Sequence, residues 1–287
     1  MSTALHIDPP HLAGGLGDRP FAVTHDLVDN PLLTLDAIAE LADFLPAETN
    51  VEHNLGDVPE VLPDGAAPRL DLTPGEIVRT IDTNRCWMVL KRIEEHPAYR
   101  ELLEDTLSEV TRSVAINDGP IRRRGGFIFI SAPNSVTPTH IDPEYNFLLQ
   151  IRGSKEMVVG LYADKATEDH EAERYYGGGH RNVTDLPDQA QTFAMEPGDG
   201  VFVPLHAPHV VRNGPDPSIS LSVTWNTEAS ERVALVHAFN SKLRALNLSP
   251  SPPGARPGLD RAKAGTWLAA RSAARQAKRL GHRARAG

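Results

Sequence analysis

The chain has 287 residues, 40% hydrophobic and 23% charged, a composition that supports a globular fold with a sizeable core. No apolar run approaches the roughly 18–20 residues of a membrane span. The start, Met1-Ser2-Thr3-Ala4-Leu5-His6, has neither a basic nor an apolar leader region, so a soluble, cytoplasmic protein is expected. The formal net charge of −9 is unevenly placed: from Arg256 onward nine Lys/Arg stand against one acid, or +8, leaving 20 basic and 37 acidic residues, or −17, elsewhere. An acidic body argues against nucleic-acid binding by the main domain. The basic tail reads as a solvated helix or as a dock on an acidic surface. The single cysteine, Cys86, excludes an internal disulfide framework; within Cys86-Trp87-Met88-Val89-Leu90 it reads as core.

Residues 1 to about 30 read as irregular, punctuated by Pro9-Pro10 and Gly14-Gly15-Leu16-Gly17. A helix is predicted over 34–44, with Thr34 as N-cap and Leu35, Ile38, Leu41 and Ala42 on one face. The stretch from Pro46 to Pro74 is turn-rich, with Pro59, Pro63-Asp64-Gly65 and Pro68. A second helix follows from Pro97 to Val114, striped by Leu103, Leu107, Val110 and Val114. From about Gly126 to Trp225 the pattern changes to short β-branched and aromatic runs separated by Gly and Pro. Strands are predicted at 127–130, 147–151, 156–161, 201–203, 209–211 and 218–224. In the last of these strict alternation puts Ile219, Leu221 and Val223 on one face. Arg122-Arg123-Arg124 precedes the first core strand and reads as a solvated face. Tyr175-Tyr176-Gly177-Gly178-Gly179-His180-Arg181 reads as a flexible loop, either an active-site cover or an ordinary insertion. A helix over 230–246 carries the stripe Val233, Val236, Phe239, Leu243 and Leu246. A linker at 249–254 precedes a basic helix over 259–280 anchored by Trp267 and Leu268. Many short strands point to a sandwich or barrel. The chain divides into an N-terminal region (1–120), a strand-rich core (121–228) and C-terminal helices (229–287).

His140-Ile141-Asp142 is the central chemical signal. On an extended segment residues i and i+2 point the same way, so His140 and Asp142 can reach one metal ion. The third ligand must come from elsewhere, and His209, which opens a strand after the turn Pro197-Gly198-Asp199, is the candidate. His206 is its rival. Two imidazoles and one carboxylate on one face of an ion leave open positions, the facial arrangement of non-haem iron(II) oxygenases.

The segment Thr137-Pro138-Thr139-His140-Ile141-Asp142-Pro143-Glu144-Tyr145-Asn146-Phe147-Leu148-Leu149-Gln150-Ile151-Arg152-Gly153-Ser154-Lys155 resembles the central motif of cupin-like JmjC-domain oxygenases. It is especially similar to the group that includes the asparaginyl hydroxylase called factor inhibiting HIF. The motif T-P-x-H-x-D-x-x-x-N-F-x-x-Q-I-x-G-x-K is met at every fixed position, and Gly198-Asp199…Pro204…His209 fits its distal part. The likeness covers about residues 126–226. It implies a double-stranded β-helix, or jelly-roll, core with flanking N- and C-terminal helices. It further implies iron(II) on His140, Asp142 and His209. Lys155 and Thr137 would hold the far carboxylate of 2-oxoglutarate, and Asn146 would line the cofactor pocket. A buried carboxylate needs a charged, hydrogen-bonded partner, which a lysine supplies. One departure stands out: the tyrosine that often helps bind 2-oxoglutarate has no counterpart in Phe127-Ile128-Phe129-Ile130.

The resemblance implies an Fe(II)- and 2-oxoglutarate-dependent dioxygenase that hydroxylates an unactivated C–H bond, with O₂ consumed and succinate and CO₂ formed. The expected substrate is a small metabolite or amino-acid derivative. Alternatives are a protein side chain, an N-methyl lysine, or a metal-binding cupin without 2-oxoglutarate chemistry. A regulator binding nucleic acid through the 256–287 tail is a third class. The C-terminal helices could also form a homodimer interface.

Overall fold

Residues 4–13, 15–55, 72–84, 86–184, 186–187 and 189–286 are described by a computed structural model. The predicted turns at Pro59, Pro63-Asp64-Gly65 and Pro68, and Gly14, lie outside these residues. The chain forms two compact units, Met1–Leu161 with Asn182–Thr227, and Tyr162–Arg181 with Glu228–Gly287.

The first unit is a jelly roll. Its strands are β1 (Leu5–His6), β2 (Phe21–His25), β3 (Val51–Leu55), β4 (Cys86–Lys91), β5 (Ile121–Ser131), β6 (Val136–His140), β7 (Tyr145–Arg152), β8 (Lys155–Leu161), β9 (Gln189–Met195), β10 (Asp199–Val203), β11 (His209–Asn213) and β12 (Ser218–Thr227). An eight-stranded sheet runs β1-β2-β10-β7-β12-β5-β4-β3, and a four-stranded sheet runs β6-β11-β8-β9. All pairings are antiparallel.

Strand β12 shows how the large sheet serves two cores. Its odd positions Ile219, Leu221, Val223 and Trp225 join the main apolar core with Ile38 and Leu41 of helix α1 (Leu35–Phe44) and Leu103, Leu107 and Val110 of helix α2 (Pro97–Asp118). Its even positions, Ser220, Ser222, Thr224 and Asn226, therefore face the other way, as a period of two requires. Ser220 donates to Gln150 Oε1 at 2.7 Å and Ser222 to Asn146 Oδ1 at 2.7 Å, so these buried hydroxyls are satisfied. A second core of Leu148, Met157, Val159, Val201, Val203 and Val211 lies between the sheets.

Several expectations need correction. The first 30 residues are not all irregular: β2 alternates buried and exposed residues and pairs with β10. His25 anchors it, donating from Nε2 to the Gln150 carbonyl (3.0 Å) and accepting the Leu27 N–H at Nδ1 (3.1 Å). Burial lowers the pKa of this imidazole, which favours the neutral form that both bonds use. The turn-rich stretch also contains β3, paired with β4. The three arginines do not precede a strand but belong to β5, where Arg123 and Arg124 pair with Asn226 and Trp225.

The second unit is helical, with α3 (Lys165–Tyr176), α4 (Glu228–Ala245) and α5 (Pro257–Ala286). Tyr175 and Tyr176 therefore end a helix, capped at its start by Asp164, and do not open a loop. The buried side of α4 holds Val236, but also His237 and Asn240, while Leu246 at the end of the expected stripe is exposed. Asn240 donates to Glu173 of α3 at 3.1 Å, and Arg244 ion-pairs with the same carboxylate. In α5 the buried residues are Asp260, Lys263 and Ala264; Leu268 is exposed and Trp267 half-buried. The helix is tied down by polar contacts, Lys263 Nζ to the Ser251 carbonyl (2.8 Å) and Gly254 N–H to Asp260 (2.8 Å), which an apolar-stripe reading does not detect. No helix among the described residues is long and apolar enough to cross a membrane.

The turn from β7 to β8 depends on Gly153, whose φ is +68° and where an added Cβ would lie 2.5 Å from the Pro217 carbonyl oxygen. Gly153→Ala is expected to cost at least ~2 kcal/mol, from left-handed strain plus a clash with backbone. A fall in the urea midpoint checks this; an unchanged midpoint contradicts it.

Candidate metal and co-substrate site

Inward positions of five strands, with Asp142 just beyond β6, line one cavity between the sheets, with about 390 Å³ of empty space, its open mouth included. At one end His140, Asp142 and His209 converge, each offering a ligand atom within 4.8 Å of the others. The Asp142 Oδ2 lies 3.7 Å from His140 Nε2 and 3.6 Å from His209 Nε2. Strand pairing builds this arrangement, because His209 of β11 is directly opposite His140 of β6. Their rings are tilted at 56° with centroids 4.1 Å apart. His140 Nδ1 donates to the Pro138 carbonyl (2.7 Å) and His209 Nδ1 to the Ala207 carbonyl (2.9 Å). A carbonyl can only accept, so each Nδ1 carries the proton and each Nε2 lone pair faces the common point. The main chain at Asp142 is anchored too: the His206 N–H donates to the Asp142 backbone carbonyl at 3.1 Å.

A bulge places Thr137 in the same cavity. Thr137 and His140 are three apart, so strict alternation would send them to opposite faces. The β6–β11 register shifts between His209 and Val211, inserting one extra residue on β6 and turning both inward. Strand β6 is the edge of its sheet, where Pro138 is tolerated without a ladder hydrogen bond.

At the opposite end stands Lys155, 5% exposed and the first residue of β8. It pairs with Asn213, four residues along from the level of His209, or about 13 Å at ~3.3 Å per residue. Its ammonium has no hydrogen-bond or ion-pair partner among the described residues. Burial alone lowers its pKa to about 7 from 10.5. Between the two ends the walls are apolar: Phe129, Leu148, Met157 and Val211. Asn146 lines the metal end, its Oδ1 accepting from Ser222.

The structure thus brings His140, Asp142, His209, Thr137, Asn146 and Lys155 to one cavity. The rival ligand His206 is buried in the turn before β11, with φ +61°, and is not part of the three-residue cluster. Not singled out from the sequence were Ser131 and the apolar walls Phe129, Leu148, Met157 and Val211. Leu148, Met157 and Val211 had a signal in parity, each being an inward position of a strand that carries a site candidate, whereas Phe129 and Ser131 lie on β5, which carries none.

Residues 108–233 match the JmjC domain family. No curated protein matches the chain. Among solved structures, the ycfD protein of E. coli shares 17% identity at a TM-score of 0.53, covering 93% of this chain and 68% of that one. The structure described as Escherichia coli ribosomal oxygenase YcfD in complex with cobalt and 2-oxoglutarate shares 16% identity at a TM-score of 0.51, over 93% and 67% of the two chains. At these identities the likeness concerns the fold.

The unpaired lysine has a consequence for stability. In the unfolded chain its amine keeps the ordinary value near 10.5, so between about pH 7 and 10.5 the unfolded state binds more protons than the folded one. Stability of the ligand-free protein is then expected to rise with pH across that window, by of order 2 kcal/mol over two pH units. Lys155→Met should abolish the rise. Denaturant melts at about pH 7 and pH 9 check both.

Proposed function

We propose that the chain is an Fe(II)- and 2-oxoglutarate-dependent oxygenase, with iron held by His140, Asp142 and His209. The observation that carries this reading is the polarity of one cavity. Three ligand groups lie at one end, an apolar waist follows, and a buried, unpartnered ammonium beside a threonine hydroxyl closes the other. That is the complement of a dicarboxylic 2-oxo acid, chelating through one end and charged at the other. A metal-binding cupin without this co-substrate has no use for a buried unpaired lysine, which is costly to keep. The JmjC match and the likeness to an oxygenase structure holding cobalt and 2-oxoglutarate support the same reading.

Neutral imidazole and carboxylate suit iron(II), and the only cysteine, Cys86, is buried in β4, outside the cavity lining. Bound iron(II) and 2-oxoglutarate supply the oxidising chemistry, with O₂ consumed and succinate and CO₂ released. The protein positions and insulates. The Pro138 and Ala207 carbonyls fix the tautomers and raise the basicity of the two imidazoles. Asp142 supplies the negative charge. Lys155 donates to the far carboxylate, which restores the lysine's own charged form, and Thr137 donates beside it. Phe129, Leu148, Met157 and Val211 keep water from the chain between the two ends. Asp142 is the most open of the three ligands, with 23% of its side chain exposed, so substrate approaches from its side.

For the substrate we retain a small metabolite or amino-acid derivative, oxidised at an unactivated C–H bond. A second reading, a residue of a ribosomal or other protein, is supported by the description of the structural neighbour as a ribosomal oxygenase.

The test adds iron(II) and then 2-oxoglutarate to the anaerobic protein and follows the visible charge-transfer band. The band should disappear in His140→Ala. In Lys155→Ala it should need ~100-fold more 2-oxoglutarate, the order expected for a lost charge-assisted bond. Protein that holds iron but gives no band refutes the co-substrate assignment.

A further inference from the structure

The two sheets of the jelly roll differ in width, and one flank of the large sheet has no strand above it. The large sheet runs on through β10, β2 and β1, whereas the small sheet ends at β9. Ala22 and Thr24 of β2 lie opposite Val201 and Asp199 of β10. Opposed residues share a face, and Val201 belongs to the core between the sheets, so Ala22 and Thr24 point to the inner side as well. Both are nevertheless exposed. Between them and β9 runs a groove with about 780 Å³ of empty space, its open side included. Ile7, Phe193, Ala194 and Gly200 complete its apolar lining. The groove occupies the place of a fifth strand in the small sheet.

Strand β9 presents a hydrogen-bonding edge to this groove. It pairs with β8 without a bulge from Met195 to Gln189, and no strand pairs with its other side. Alternate residues therefore turn their N–H and C=O groups outward. Folded proteins blunt such an edge with charge, proline, a bulge or shortness. The other edge of the small sheet, β6, has Pro138 and a bulge, and β1 has only two residues. Strand β9 uses none of these devices. Gln189-Ala190-Gln191-Thr192-Phe193-Ala194-Met195 is seven residues long, uncharged, and exposed from Gln189 to Thr192.

Charge selects the occupant. Asp8 and Asp199 line the groove, and no lysine or arginine does so among the described residues. The sequence places Asp188 directly before β9 and Glu196 directly after it. Two copies pairing β9 antiparallel with β9 would set these like charges against each other, which opposes a second copy as occupant. An extended segment that carries lysine or arginine beside small or apolar residues fits the same features. The floor of Ala22, Thr24 and Gly200 offers only shallow side-chain sites, so recognition rests on backbone and charge more than on one sequence.

We propose that β9 and the groove beside it bind an extended, basic segment of a partner protein by strand addition. The bound segment becomes the fifth strand of the small sheet. This inference is independent of the metal and co-substrate reading, because no residue of the groove lines that cavity.

The test uses the full chain and a fluorescein-labelled peptide of three lysines followed by alternating valine and threonine. One counterpart has glutamates for the lysines, and a second is N-methylated throughout its valine–threonine run. Fluorescence anisotropy reads binding, and hydrogen exchange with mass spectrometry reads its place. The lysine peptide should bind saturably and slow exchange across 189–195. Each counterpart should bind ~10-fold or more weakly. Ala22→Trp fills an exposed position of the floor and should weaken the lysine peptide by ~10-fold or more. Asp8→Lys should weaken the lysine peptide and strengthen the glutamate one. Unchanged urea midpoints show that the variants are folded. Lack of saturable binding overturns the proposal. So does binding that N-methylation and Ala22→Trp leave unchanged, or protection confined to other strands. A wild-type mass that doubles with concentration, with β9 protected in the dimer, assigns the edge to a second copy and also overturns it.

Discussion

Antiparallel pairing of β11 with β6 sets His209 directly opposite His140, and the rest of the site depends on that register. A slip of one residue would turn His209 out of the cavity and Val210 into it. The bulge in β6 confines the irregularity to one extra residue, so the same short strand delivers both a member of the His140–Asp142–His209 cluster and, at Thr137, a hydroxyl to the same cavity. The two carbonyls beneath the imidazoles come from the residues two before each histidine, so the backbone that positions each ring also fixes its proton.

The two-faced large sheet explains how a polar cavity survives inside a stable barrel. Trp225, Val223, Leu221 and Ile219 on one face of β12 join the apolar core with the N-terminal helices. The opposite face is rich in hydroxyl and amide groups, but most are bonded to one another, as in the Gln150–Ser218–Ser220 cluster. Satisfied polar groups of this kind stiffen the wall without demanding water. Against that background the cavity is distinguished by a buried lysine, Lys155, with no ion-pair partner among the described residues.

Lys155 is the clearest case of a buried group that works against stability. No described residue compensates its charge, and burial alone drives its pKa down to about 7. A ligand with a matching carboxylate would restore the charged form and stabilise the folded protein by mass action. The hairpin turn that introduces it needs a left-handed Gly153, so the conformational cost of the site extends to the backbone.

Much of this was legible in the sequence. His140-x-Asp142 and the run through Lys155 contain five of the six candidate residues that meet in the cavity, because ligand chemistry and a short motif are local properties. The helices at 34–44 and from Pro97 were readable from caps and apolar stripes, and the inward and outward faces of β12 from strict alternation. What the sequence left hidden is non-local. Strand β2 carries no turn signal and owes its place to pairing with β10; the arginines of β5 read as a solvated lead-in and became strand through pairing with β12. The choice of His209 over His206 and the inward turn of Thr137 were decided by register and a bulge. Ser131 lacks any signal of its own, since a serine at a strand end is ordinary until the opposite walls are in place. Residue chemistry is written along the chain, whereas which groups share a cavity is fixed only when strands far apart in sequence pair and bury their inward faces together.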